Sequence, residues 1–525
     1  MMTSKLVFII FCLTKDALGE NILIAIDIPS YSHQSFNYAL AEALVEKGHN
    51  VTMAGPYSHL MGRRSDRFHP ILFEGVLYNV KTIEATDIEE EFPNANVFWL
   101  MKVFADYPAE VCQRVYNTKG FNMLLNYPKD FNIDLIIIDV TLGSCLFPLI
   151  QKFNYPPTVG TTAFLLPPYL SEAFGNVAQP SYLPFYHFKY SENMSFLQRV
   201  KNYALTRLDS FLKQTYEMHQ LEMLARKTFG EGVQSMRVLE RHISLLLSNV
   251  NMAFHPAQPL TPNIIPVGGL HIRPPKGLPK DLQNIMDNAP EGVILFCLGT
   301  NVRSEKLSER TKQTLLQAFG QLRQIVIWKY ESILRNIPSN VIVRPFVPQS
   351  EILRHPNLRL FMGHGGALSS LEAAYFGLPV VGMPFFVDQR TTVNLMVERK
   401  LGLKLDHVNL TPEIVLGKIR EALGNPIYAT NMREVSKRMR DQLNTPLETA
   451  LFWLEYAMRH NGTQFLNPKA RDMPLFVSSS TDAILFLLLV ISLVVGRIAG
   501  HYTRLPLGLV HTPSTMFKKL NVRNR

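Results

Sequence analysis

At 525 residues, 47% of them apolar, the chain is too long for one ordinary hydrophobic core and has material for two. Its formal charge of +10 does not point to nucleic acid, because six of the cations, Arg497, Arg504, Lys518, Lys519, Arg523 and Arg525, lie in a stretch from Ala483 to Arg525 that has no Asp or Glu. The four cysteines, Cys12, Cys112, Cys145 and Cys297, fall in no zinc spacing and make no disulfide framework, so packed cores must hold the fold.

The chain opens on Lys5, the apolar run Leu6 to Leu13, and the small residues Ala17 and Gly19, which together predict a secretory signal over 1–19. A strand from Asn21 to Ile26, a loop through Pro29 and Ser30, an amphipathic helix from Gln34 to Glu46 and a strand from Asn50 to Ala54 form one βαβ unit. Such a unit predicts a parallel sheet with helices on its faces. Leu135 to Ile138 reads as a buried strand flanked by Asp134 and Asp139. Between Tyr155 and Lys189 proline and aromatic residues crowd, a composition poor for helix and suited to the wall of a lipophilic cleft. A long helical region, Ser195 to Phe229, follows and completes a first domain over 20–255.

Eight prolines between His255 and Pro290 predict an extended linker at 256–290. The alternation then restarts over 291–445. Strands are expected at Val293 to Cys297, Ile325 to Trp328, Val341 to Val343, Leu358 to Met362 and Pro379 to Val381, with helices at Ser304 to Leu322, from Gln349, and at Ala367 to Phe376. A helical segment, 446–478, is expected to pack back on the body. The 13 apolar residues from Ala483 to Val495, extended through their flanks, predict a membrane span at 479–498 with a basic cytosolic tail, 499–525. Of the sequons at Asn50, Asn193 and Asn461, the last two lie in loop-like contexts and are the better glycan acceptors.

In open α/β sheets ligands bind beyond the carboxyl ends of the strands, often at a helix N-terminus. Leu298-Gly299-Thr300-Asn301 and Gly363-His364-Gly365-Gly366 each follow a strand and place backbone N–H groups where a diphosphate would sit, although a Gly-Gly pair also fits a plain tight turn. His33, in Ser-Tyr-Ser-His, stands in the loop after the first strand, a position that a capping or surface histidine also takes.

Three runs in order carry more. Phe346-Val-Pro-Gln-Ser-Glu-Ile-Leu-Arg-His-Pro, Phe361-Met-Gly-His-Gly-Gly-Ala-Leu-Ser-Ser-Leu-Glu and Gly377-Leu-Pro-Val-Val-Gly-Met-Pro-Phe-Phe-Val-Asp-Gln closely resemble the UDP-glycosyltransferase signature, in particular the membrane-bound UDP-glucuronosyltransferase-like enzymes of animals, with an insect flavour. The resemblance implies a GT-B fold, two Rossmann-like α/β domains facing a cleft, plus the C-terminal transmembrane helix. It implies a single-pass protein of the endoplasmic reticulum membrane with its catalytic body in the lumen, a glycoprotein of detoxification.

By motif, the resemblance assigns Phe346 and Gln349 to the uracil, Glu372 to the ribose hydroxyls, Thr300, His364 and Gly365 to the diphosphate, and Asp388 and Gln389 to the sugar. Lys329 follows Trp328 at a strand end and is expected to reach the donor. His33 matches the family's catalytic base and Asp139 the carboxylate that orients it; Asp134, at the other end of that strand, is the poorer partner. The chain departs from the family at Phe346, commonly Trp; at Gly363, commonly Thr; at Leu368, commonly Asn; and at Thr392, commonly Asn.

The implied reaction is inverting transfer of a sugar, glucose rather than glucuronic acid, from a UDP-sugar co-substrate to a hydroxyl of a small lipophilic acceptor. No metal and no nucleic acid are implied, and a homo-oligomer is left open. The alternative is a membrane-anchored carrier that binds UDP-sugar or lipophile without turnover.

Overall fold

The computed structural model describes residues 19–57, 65–76, 95–128 and 131–504. All of the expected signal segment but Gly19, and the tail beyond 504, lie outside them. The chain divides into two compact units, one ending at Arg471 and one starting at Asp472.

The first unit is built on two parallel sheets. The first has β1 (Asn21–Ala25), β2 (Asn50–Gly55), β3 (Phe68–Leu72), β4 (Leu135–Asp139), β5 (Thr158–Thr162), β6 (Leu245–Ser248) and β7 (Ile264–Pro266), in the spatial order β3-β2-β1-β4-β5-β6-β7. The second has β8 (Val293–Cys297), β9 (Ile325–Lys329), β10 (Val341–Arg344), β11 (Leu358–Gly363), β12 (Val380–Gly382) and β13 (Gly402–Lys404), in the order β10-β9-β8-β11-β12-β13. Seven of the helices flank the cleft, cover the sheets or lie beyond them: α1 (Tyr31–Glu46), α2 (Val97–Val115), α3 (Phe196–Leu212), α4 (Ala367–Tyr375), α5 (Asp388–Glu398), α6 (Pro446–Arg459) and α7 (Thr481–Arg504).

The central strands are near-continuous apolar runs because both of their faces are covered. In β1, Ile22 and Ile24 pack on Phe36, Leu40 and Leu44 of α1, while Leu23 and Ala25 face Ile136, Ile138 and Phe147 on the other side. Each sheet grows outward from its first strand and then restarts on the opposite flank, so the order reverses between β1 and β4 and again between β8 and β11. Helices leave a parallel sheet on opposite faces at such a reversal, and a crevice opens at the strands' carboxyl ends. His33 and Asp139 lie at the first crevice, Gly299 and His364 at the second.

The structure revises several expectations from sequence. The stretch 256–290 is not simply extended, for Ile264–Pro266 forms the edge strand of the first sheet and Lys280–Asp287 is a helix. Proline is tolerated at Pro266 because an edge strand does not need every N–H. The region Ser195 to Phe229 is helical but carries a π-helical turn at Lys213–Glu217, where the buried Lys213 and Glu217 pair at 2.5 Å. Ser304–Lys306 is a separate 3-10 turn, and the helix after it starts at Glu309 with Ser308 as its cap. β5 and β6 are strands that the sequence pattern does not announce.

The second unit holds α7, whose Thr481–His501 portion is long and apolar enough to cross a bilayer. It starts at Thr481 rather than 479 because Ser480 takes a φ of 55°, which breaks helix continuity.

Candidate functional site

β1 pairs with β4 in the register Ala25 to Ile138, which brings the carboxyl end of β4 beside the loop into α1. The first turn of α1 carries His33, and its Nδ1 lies 2.8 Å from Asp139 Oδ2, both residues buried. Thr141 donates to Asp139 Oδ1 through its hydroxyl, at 2.7 Å, and through its amide, at 3.1 Å; Asn37 Nδ2 lies 3.4 Å from Oδ2. A carboxylate facing Nδ1 keeps the imidazole proton there and leaves a lone pair on Nε2. Phe164 closes on the ring edge-on, with centroids 5.0 Å apart. Asp134 lies at the opposite end of β4 and accepts the Asn21 amide at 2.8 Å.

Asn37 and Thr141 join the site without a motif to mark them, although Asn37 follows His33 by four residues and so shares its helix face. Thr161 donates to the Asn37 amide oxygen at 2.8 Å. Asp139→Asn keeps the shape but presents an amide N–H to the ring and thereby reverses the tautomer. Initial rates should fall about 10²- to 10⁴-fold, with thermal stability little changed.

In the second lobe the loops after β8 and β11 clasp one ring. Gly299 has φ +82°, and a Cβ there would sit 2.7 Å from His364 Cε1; a Cβ on Gly366 would strike the same imidazole. Burial first, and then the positive charge of Lys329, pushes His364 down to about 4, so the ring is neutral at physiological pH. Its Nδ1 has no hydrogen-bond partner among the described residues. Gly365, also at φ +82°, packs on Val393, and Gly366 leads into α4 with no side-chain cap, leaving N–H groups of the first turn unclaimed by that route. Lys329 does not stand free: its ammonium donates to Gly299 O at 2.9 Å and pairs with Glu331 at 2.5 Å, bracing the loop. Thr300 is exposed at its lip.

Gln349 Nε2 donates to Glu372 Oε2 at 2.6 Å, and burial raises the Glu372 carboxyl. Phe346 lies open to solvent. Asp388 opens α5. Burial pushes its carboxyl up to about 6, against the opposing pull of His33 across the cleft and of backbone N–H groups including that of Ala367. The Gln389 side-chain oxygen is committed to the structure, accepting the amides of Phe385 at 2.9 Å and Phe386 at 3.3 Å. Val387, just before them, sits at φ 49°, a strained conformation for a β-branched residue.

The lobes meet here: Asn301 Nδ2 donates to Ser30 Oγ at 3.0 Å, three residues before His33. An apolar pocket opens at the junction. Phe104, Phe164, Leu166, Tyr169 and Tyr186 wall it from the first lobe, and Val387, Asp388, Thr391 and Leu395 from the second. Part of this wall comes from the proline- and aromatic-rich stretch between Tyr155 and Lys189.

Two of the departures have structural reasons. The Phe361 ring fills the space of a side chain at Gly363, lying 2.7 Å from a Cβ there. Leu368 is half-buried and packs against the core of the first lobe. Thr392 is buried, with its hydroxyl unpartnered among the described residues. Among the described residues one group, Asp27, Cys112 and Cys145, brings metal-ligating atoms within 4.8 Å of one another. All three residues are buried, and Asp27 Oδ2 already accepts Ser144 Oγ at 2.8 Å and the Cys145 amide at 3.0 Å.

The chain matches the family described as "UDP-glucoronosyl and UDP-glucosyl transferase" over residues 28–505. It is 31% identical over 485 residues to UDP-glycosyltransferase UGT5 of Dactylopius coccus, covering 90% of each chain. It is 28% identical over 511 residues to UDP-glucuronosyltransferase 2B7 of Homo sapiens, covering 92% of this chain and 93% of that one. Among solved structures, LpCGTa in complex with UDP superimposes with a TM-score of 0.54 at 17% identity, over 84% of this chain and all of that one; glycosyltransferase VinC in complex with dTDP gives 0.55 at 18% identity over the same shares. At such identities these two establish the shared fold, a GT-B glycosyltransferase architecture.

Proposed function

Given that the chain belongs to the UDP-glycosyltransferase family and is a glycosyltransferase, we propose that it moves a neutral hexose, glucose rather than glucuronic acid, from a UDP-sugar to a hydroxyl of a small lipophilic acceptor. The observation that carries this reading is the buried His33–Asp139 pair, 2.8 Å apart, beside an apolar pocket whose other wall carries Asp388.

The acceptor hydroxyl docks from the apolar pocket toward His33. Nε2 takes its proton as the oxygen attacks the anomeric carbon, and Asp139 stabilises the imidazolium that forms. The sugar–phosphate bond breaks on the opposite side, and UDP leaves with the bonding pair. Backbone N–H groups at the start of α4, with Lys329 close by, oppose the charge that develops on the diphosphate. One displacement inverts an α-linked donor to a β-glycoside. Phe346 stacks on the uracil, Gln349 hydrogen-bonds to it, Glu372 accepts the ribose hydroxyls, Thr300, His364 and Gly365 hold the diphosphate, and Asp388 and Gln389 hold the sugar. A carboxylate at Asp388 accepts sugar hydroxyls but repels a sugar acid, which favours glucose. A carrier without turnover would have no use for a desolvated base and its orienting carboxylate.

Asp388 accepts hydrogen bonds from two sugar hydroxyls at full strength only when ionised, since protonation turns one of its oxygens into a donor. As the pH falls through about 6 its carboxylate is lost, so KM for the UDP-sugar should rise while the Kd of UDP alone changes less. Parallel donor titrations at about pH 7.5 and about pH 5.5, on the ionised and protonated sides of that transition, make the comparison. Equal shifts in both constants would remove Asp388 from the sugar site.

In this reading α7 anchors the chain; its length and apolarity and the acid-free sequence after it, which fits a cytosolic flank, support a body in the lumen of the endoplasmic reticulum. A turnover panel crossing UDP-glucose and UDP-glucuronic acid with phenolic and steroid acceptors tests the whole reading. Faster transfer from the glucuronate donor would refute the sugar assignment, and no transfer from any donor would refute catalysis.

A further inference from the structure

Helix α3 is inside out. The residues it buries are Asn202, Leu205, Thr206, Asp209 and Ser210, four of the five polar. Its outward face presents Phe196 at 68% exposure, Leu197 at 75%, Val200 at 51% and Phe211 at 62%, with Tyr203 at its border. At 100° per residue, Phe196, Val200 and Phe211 fall within one narrow stripe and Leu197 lies beside it. An ordinary surface helix turns its apolar stripe inward, and a contiguous apolar stripe turned outward marks a surface that meets something other than water.

The inward polar face has a task of its own, which explains the inversion. Asn202 donates to Pro180 O at 2.8 Å and to Leu183 O at 2.9 Å, and accepts the Phe185 amide at 2.7 Å. The segment it ties down lines the apolar pocket. One helix therefore holds the pocket wall on one side and shows an apolar stripe on the other.

Charge identifies the occupant. Arg199 and Lys201 lie on the two flanks of the stripe, and Arg207 emerges within it, paired to Glu172 and stacked 5.2 Å from the Tyr203 ring. The helix's single acid, Asp209, is buried and faces inward. Aromatic and aliphatic residues bordered by Arg and Lys, with no exposed acid, are the composition of a helix lying in a membrane interface, where the cations reach anionic headgroups. The chain also carries its own tether: nine residues separate Arg471 from α7, a reach of at most roughly 30 Å.

We propose that the outward face of α3 seats in the headgroup region of an anionic bilayer, the same bilayer that α7 spans. The inference rests on α7 being inserted, so the test reads the two separately. The full chain with Cys12→Ser and Val200→Cys is labelled with an environment-sensitive fluorophore; Cys112, Cys145 and Cys297 are buried. It is reconstituted in phosphatidylcholine nanodiscs with and without phosphatidylserine, and a Gln317→Cys protein serves as the water-facing control. Retention in the membrane at alkaline pH reports on α7.

The label at 200 should emit to the blue of the label at 317 and lose most of its emission to lipids spin-labelled near the headgroup, more so with phosphatidylserine. Adding Phe196→Ser and Phe211→Ser should abolish that quenching with α7 still retained. Emission at 200 matching that at 317 in a retained protein overturns the proposal. So does energy transfer between two labelled copies without lipid quenching, which would assign the stripe to a second copy. Loss of retention with lipid quenching intact would leave the α3 surface standing and refute the reading of α7.

Discussion

His33→Ala is expected to reduce turnover about 10²- to 10⁴-fold, the span general-base catalysis typically supplies, while the affinity for UDP stays within error. The split follows from geometry. The imidazole belongs to the first lobe, beyond the end of β1, whereas the loops clasping His364 and the Gln349–Glu372 pair belong to the second. The variant should also fold. Asp139 keeps its Thr141 hydroxyl and amide donors and the nearby Asn37 amide, so the buried carboxylate is not orphaned. Steady-state rates together with calorimetric titration of UDP make the comparison, and turnover near the parent rate would remove His33 from the mechanism.

Gly365→Ala should damage the donor side as severely by a different route. Alanine at φ +82° pays for a left-handed backbone, and its methyl would press into Val393 Cγ2 while sitting 3.1 Å from Gln389 O. Strain and overpacking together should cost about 2–5 kcal/mol, shared between stability and the geometry of the loop from His364 to Gly366. UDP affinity should fall at least about 30-fold, the equivalent of roughly 2 kcal/mol. Val393→Ala in the same chain opens space for the methyl but leaves φ unchanged, so the double variant should recover only part of the loss. Full recovery would show that the backbone conformation is not what glycine provides here.

The parts of this architecture that depend on local pattern are legible in the sequence. Apolar runs such as Leu135 to Ile138 announce strands buried on both faces, and Gly48 or Gly377 marks where a helix gives way to the next strand. What escapes depends on partners remote in sequence. β5 is Thr-Val-Gly-Thr-Thr, and its buried hydroxyls are tolerated because Asn37 and Thr141 satisfy them from other elements. β7 is three residues in a proline-rich stretch and exists because β6 offers it an edge. Periodicity identifies α3 as a helix, but it locates a stripe without saying which way it faces.

The same limit applies to the site. Motif order points to His33, Asp139 and the second-lobe loops. The commitment of Lys329 to Glu331, the side-chain oxygen of Gln389 turned to its own backbone and the strained Val387 are consequences of packing.

After the second lobe is complete, α6 returns to the first. Ala450, Leu451, Leu454 and Ala457 pack in one core with Ile22, Ile24 and Leu44, and Ser244 meets Thr463 at 2.7 Å. The lobe that begins the chain thus has its outer layer supplied by residues made more than 400 positions later. During synthesis it must wait with one flank of its sheet uncovered until the ribosome has delivered nearly everything else. The lobe that emerges first is the last to close, and cutting the chain between the sheets would yield two fragments, the earlier one with part of its interior open to water.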